Sequence, residues 1–80
     1  MEYVITGKLS TMTRRQAAEA IELNGDSFKN RVTHKTAILV QGELSHWPSH
    51  KIELAIKYAG QGQKITVLTE SEFLKKVGKQ

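Results

Sequence analysis

The run Ala37-Ile38-Leu39-Val40 most restricts what this chain can fold into. Four consecutive apolar residues are too few for a helix, and without polar alternation they suit a strand covered on both faces. Covering both faces requires helices on each side of a sheet. The run Tyr3-Val4-Ile5-Thr6 is a second strand of β-branched and aromatic residues, stopped by Gly7.

The segments between such runs carry helical signals. Thr13-Arg14-Arg15-Gln16 fits a capping box, and Ala17, Ala20, Ile21 and Asn24 follow at helical spacing. The alanines allow close contact with a sheet. Asn24-Gly25 ends that helix, since either residue tolerates the left-handed backbone of a helix exit. Ser27-Phe28 fits a minimal strand, and residues 29–36 form a polar connection into the Ala37–Val40 run. Through Leu44-Ser45-His46-Trp47-Pro48 the pattern gives no single reading. A second helix is expected from near Ser49, with Ile52, Ala55, Ile56 and Ala59 as its apolar face and Glu53 and Lys57 opposite. Gly60 and Gly62 terminate it. Lys64-Ile65-Thr66-Val67-Leu68 reads as a strand, and Thr69-Glu70-Ser71-Glu72 opens a third helix with another capping box, its inner face supplied by Phe73, Leu74 and Val77. The order β-α-β-β-α-β-α implies an α/β fold with a mainly parallel sheet and helices on both faces.

All 80 residues make one domain, and without cysteine its core must come from apolar packing alone, for which 39% hydrophobic residues suffice. The net charge of +4 suggests phosphate-bearing partners. No apolar segment approaches a membrane span and no signal-peptide pattern opens the chain, so a soluble cytoplasmic protein is expected.

The series VITGKLSTMTRRQAAEAIELNG, VTHKTAILVQGE, SHKIELAIKYAG and ITVLTESEFLKKV closely resembles a BRCT domain. It is most similar to those of bacterial NAD-dependent DNA ligases and of the large subunit of replication factor C. The match runs from about residue 3 to residue 77, and it rests on four motifs in order, since no single one is specific. Ser45-His46-Trp47-Pro48 departs from the glycine- and serine-rich stretch of those relatives, Phe73 stands where many members place tryptophan, and Asn24-Gly25 stands for a common Gly-Gly pair.

The resemblance implies a four-stranded parallel sheet flanked by three helices, with a role in recognising phosphate during DNA replication and repair. By position it implies a phosphate pocket of Thr6, Gly7, Arg14 and Lys51, associated in the ligase and clamp-loader group with a 5′-phosphate on duplex DNA. The chemistry of these residues suits that role. Ligands of parallel sheets gather beyond the carboxyl ends of the strands, where helix amino termini add partial positive charge. Glycine permits close approach, threonine offers a hydroxyl, arginine binds phosphate oxygens bidentately and lysine adds a point charge. The bland alternative is a Thr-Gly turn and a solvated arginine. A lysine at a helix start opposes the dipole, which favours function over mechanics. Lys8, Lys29, Arg31 and Lys35 would extend a basic rim for the DNA backbone, the alternative being an ordinary charged surface.

Other patterns carry less. His46 and His50 have metal-ligand spacing, but Pro48 lies between them and no third ligand is evident. Gly60-Gln61-Gly62 precedes a strand instead of following one, so a helix-ending turn explains it better than a dinucleotide fingerprint. Trp47 suits stacking on a base, or more simply a lid over a helix end. No nucleophile, catalytic triad or acidic cluster can be argued for, so no enzyme activity, metal or cofactor is expected of the chain itself, which would be part of a larger enzyme such as a ligase or a polymerase-associated exonuclease. Three readings follow: a DNA-end module, a phosphoprotein- or protein-interaction module, and a spacer without ligand.

Overall fold

A computed structural model describes residues 1–43 and 50–78. The expectations for Ser45-His46-Trp47-Pro48 and for a helix start at Ser49 fall outside the described residues. Seven elements follow one another: β1 (Glu2–Thr6), α1 (Arg14–Leu23), β2 (Ser27–Lys29), β3 (Thr36–Gln41), α2 (His50–Gly60), β4 (Thr66–Thr69) and α3 (Glu70–Lys76). The fold is α/β: a four-stranded sheet in the order β2-β1-β3-β4, with every strand pairing parallel.

Strand alternation divides the core into two layers. Tyr3, Ile5, Ile38 and Val40 point to one face and pack with Ala17 and Ile21 of α1 and Phe73 of α3. Val4 and Leu39 point to the other face and pack with Ile52 and Ala55 of α2. The small side chains of Ala17 and Ala20 let α1 lie close to the sheet, and both are buried. Phe73 anchors α3 through an edge-on contact with Tyr3, with ring centroids 6.2 Å apart.

The turn chemistry read from the sequence holds. Thr13 and Thr69 each cap a helix in a reciprocal capping box, with Gln16 and Glu72. Gly25 exits α1 at φ 82° and Gly7 leaves β1 at φ 81°, both in the left-handed region that glycine occupies without steric cost.

Two expectations need correction. In α2 the buried stripe is Ile52 and Ala55, flanked by partly buried Leu54 and Tyr58, while Ile56 is 63% exposed and Ala59 is also exposed. Val32, in the connection from β2 to β3, shares this face of the sheet with Ile52 and Ala55, beside Val4 and Leu39. That connection crosses β1 without a helix, so one apolar side chain takes the place a crossover helix usually fills. β4 also runs later than the sequence suggested. Thr66 pairs with Ile38 and Thr69 with Gln41, leaving Lys64 and Ile65 outside the ladder. Thr69 is both the last residue of β4 and the cap of α3.

Candidate phosphate-binding site

Because all four strands are parallel, the first residues of α1 and α2 and the ends of β1 and β3 share the carboxyl edge of the sheet. Two cations meet there. Arg14, the first residue of α1, donates through Nη1 to the carbonyl of Ile5 at 3.3 Å and through Nη2 to the carbonyl of Gly7 at 3.1 Å. Lys51, the second residue of α2, donates through Nζ to the same Ile5 carbonyl at 2.8 Å. An arginine carries five N–H donors and a lysine three, so both keep donors after serving these carbonyls.

Neither cation has a carboxylate within ion-pair distance among the described residues. Arg15 provides the contrast, because it pairs with Glu19 one turn along α1, at 3.6 Å. No acidic residue occupies the first turn of α1, where one would complement the helix dipole. Burial lowers the pKa of Lys51, and the Arg14 guanidinium lowers it further. Two like charges are therefore held together at a place where an anion would relieve the repulsion.

Thr6 ends β1 and Gly7 follows it, next in the chain to the shared Ile5 carbonyl. Thr6 is 3% exposed, and its carbonyl accepts from the N–H of Gly42 at 2.8 Å. Gly7 turns its carbonyl toward Arg14, and its positive φ makes that orientation possible. Of the four expected pocket residues, Arg14, Lys51 and Gly7 thus stand within one hydrogen-bonded cluster, and Thr6 is buried between Ile5 and Gly7 in the chain.

Two cavities flank the pair. One, of about 340 Å³, lies on the Arg14 side and includes Lys8, Leu9, Met12 and Thr13 in its walls. The other, of about 510 Å³, lies on the Lys51 side between the β2–β3 connection and α2. Lys8 and Arg31 of the expected rim line these cavities, while Lys29 ends β2 level with Val4, two residues short of the end of β1. Lys35 is placed elsewhere. It precedes β3, so it sits at the amino edge, where its N–H donates to the Thr33 hydroxyl and Thr33 and Thr36 hydrogen-bond Glu2. His50 lines the Lys51-side cavity, and among the described residues no group of three or more potential metal ligands occurs.

Two residues that hold the site were not legible from the sequence. Gly42 passes so close to the β1–α1 loop that a Cβ there would lie 2.6 Å from the carbonyl oxygen of Lys8. Lys8 and Glu43 exchange both backbone hydrogen bonds at 2.8 Å across this contact. The available signal was a glycine directly after an apolar strand. Glu70 is the second. Its carboxylate accepts from the backbone N–H groups and hydroxyls of both Ser10 and Thr11, pinning the middle of the loop that leads to Arg14. Partial burial pushes its pKa up, but these hydrogen bonds outweigh it and hold the group at about 2. The partners are some sixty positions apart, so no local pattern announces them.

No family model matches the chain. Among proteins of known name, it is 44% identical over 73 residues to a DNA ligase of Petrotoga mobilis, covering 91% of this chain and 10% of the ligase. It is 40% identical over 77 residues to a DNA ligase of Syntrophus aciditrophicus, covering 96% of this chain. A DNA ligase of Syntrophomonas wolfei is 34% identical over 76 residues, covering 95%. In each case the chain spans about a tenth of the length of the relative it matches. No helix among the described residues is long and apolar enough to cross a membrane.

Proposed function

We propose that this chain is a non-catalytic, BRCT-type phosphate-recognising module of a DNA replication or repair protein, seating a 5′-terminal phosphate of duplex DNA between Arg14 and Lys51. The observation that carries this reading is the convergence of two cations from two different helices on one carbonyl, with no carboxylate between them among the described residues. Similarity to DNA ligases over nearly the whole chain favours DNA as the source of the phosphate.

A terminal phosphate is a dianion with three acceptor oxygens near neutral pH, the same chemistry as a phosphorylated side chain. Arg14 would grip two of those oxygens side by side, and Lys51 would take the third as a point charge. Hydrogen bonds to a charged group contribute about 1.5–3 kcal/mol each. Lys8 and Arg31 line the flanking cavities and, with Lys29, would meet the duplex backbone, so affinity should fall steeply with salt as counterions are released.

The test is binding of isotope-labelled protein to one duplex with and without a 5′-phosphate, followed by NMR. Perturbations at Gly7, Arg14 and Lys51 that require the phosphate would support the reading. Equal, diffuse shifts over the lysines for both duplexes would reduce it to nonspecific attraction. A phosphopeptide that binds at Arg14 and Lys51 where the phosphorylated duplex does not would replace it with protein recognition, and no response to either would leave a spacer role.

A further inference from the structure

We infer that the cavity on the Lys51 side holds the nucleotide that follows the terminal phosphate, with the first internucleotide phosphate paired to Arg31 and His50. This rests on the terminal-phosphate reading above and extends it from one phosphate to the path of the strand.

The cavity measures about 510 Å³, within the range of about 300–1,000 Å³ typical of sites for small ligands and cofactors. Lys51 is common to both places: its Nζ lies on the Ile5 carbonyl and its side chain forms a wall of the cavity. A strand anchored between Arg14 and Lys51 therefore enters this space directly. The lining divides by chemistry. Asn30, Arg31 and His50 are polar or basic, whereas Val32, Leu54 and the Tyr58 ring, itself packed against His34, make the less polar part of the wall. Among the described residues, no carboxylate lines the cavity and neither Arg31 nor His50 has an ion-pair partner.

Placement in the fold explains the composition. The β2–β3 connection must cross β1 on the α2 side, and its inward Val32 is buried against Val4 and Leu39. Arg31, next to it, is exposed and lies beside the start of α2. His50 is the first residue of that helix and is exposed as well. The cavity across the site, on the Arg14 side, has Leu9 and Met12 in its walls and adds one further cation, Lys8. The Lys51 side also adds one, Arg31, and with it the side-chain donors of Asn30 and His50, which favours it as the path of the strand.

The experiment uses the whole chain and short duplexes of three kinds: 5′-hydroxyl, 5′-phosphate, and 5′-phosphate with a neutral methylphosphonate at the first internucleotide linkage. Affinities are measured over a salt series for the wild type, Arg31→Ala, His50→Ala and the amino-edge control Lys35→Ala. Arg31→Ala is expected to weaken binding of the natural phosphorylated duplex about tenfold, the effect of losing one charge-assisted contact. It should make the salt dependence shallower by about one unit of slope. On the methylphosphonate duplex the same substitution should have little effect, because the contact is already gone, and His50→Ala should follow the same pattern. Equal losses on both phosphorylated duplexes, or none, alongside a preserved preference for 5′-phosphate over 5′-hydroxyl, would overturn this inference and leave the terminal-phosphate reading standing. Loss of that preference in the wild type would overturn both. Arg31 and His50 are exposed, so the variants should fold, and their amide spectra away from the cavity verify it.

Discussion

Arg14 and Lys51 donate to one and the same acceptor, the carbonyl oxygen of Ile5, from 3.3 and 2.8 Å. A single neutral oxygen thus holds two positive charges borne by two different helices. Burial and the neighbouring guanidinium both lower the pKa of Lys51, so the proton on its ammonium is easier to lose than usual. A bound phosphate would reverse this, because an adjacent anion favours the charged form. The pKa of Lys51 should therefore rise when the 5′-phosphorylated duplex is added, and in free protein it should rise when Arg14→Ala removes one of its two causes. Between the free and bound values, binding takes up a proton, so affinity should weaken as pH rises through that interval. NMR titration of the lysine side chains reads all three. An unchanged Lys51 in the presence of the phosphorylated duplex would contradict the proposed seat.

Glu70 gives the opposite sign. Its folded pKa is about 2, below the ordinary glutamate value of about 4.3, so it binds protons more weakly in the folded protein than in the unfolded chain. Its contribution to stability is then present above about pH 4.5 and is lost as pH falls toward 2. Urea midpoints of wild type and Glu70→Gln should differ at pH 6 and converge as pH approaches 2. Differences that stay constant with pH would mean that the carboxylate charge is not what holds Ser10 and Thr11.

Gly42→Ala should destabilise the fold by about 1–3 kcal/mol, the usual cost of forcing extra volume into a closed contact. The atom it would meet is the backbone oxygen of Lys8, which cannot swing aside as a side chain can. Relief requires parting Lys8 from Glu43, and that moves the loop between Gly7 and Arg14. The variant should therefore lose phosphate-dependent binding as well as stability. A wild-type urea midpoint in this variant would show that the strand end yields freely.

Ile52 and Ile56 test the rotation of α2. Ile52→Ala removes a core side chain and should cost about 2–4 kcal/mol. Ile56→Ala should change stability by no more than about 0.5 kcal/mol, because the side chain is 63% exposed. Denaturant unfolding of both decides it. Similar losses would restore the apolar face expected from spacing alone.

The helix result also shows why spacing has limits. Ile52, Ala55, Ile56 and Ala59 recur at a helical period, and nothing local distinguishes them from Ile52, Ala55 and Tyr58. The choice depends on how α2 meets the sheet, where Val32 from another part of the chain shares the buried layer with Ile52 and Ala55 while Ile56 stays exposed. Lys51 turns inward with that rotated face and so reaches the Ile5 carbonyl. Sequence position alone made it a helix-start lysine and resemblance made it a candidate; the rotation of α2 gives it its partner.

What the sequence determined by itself are features whose causes lie within a few residues. The capping boxes at Thr13 and Thr69, the glycine exits at Gly7 and Gly25, and the apolar run of β3 follow from local hydrogen bonding, backbone sterics and side-chain alternation. These also fixed the order of elements, and with it the parallel sheet. Tertiary structure alone decided what depends on elements meeting across distance: the shared acceptor of Arg14 and Lys51, the closeness of Gly42 to Lys8, the grip of Ser10 and Thr11 on Glu70, and the placement of Lys35 at the opposite edge from Arg31. The physical reason is range. Caps and turns act over three or four positions along the chain, whereas a pair of charges or a close backbone approach is set by the relative placement of whole elements, which the packing of both sheet faces determines.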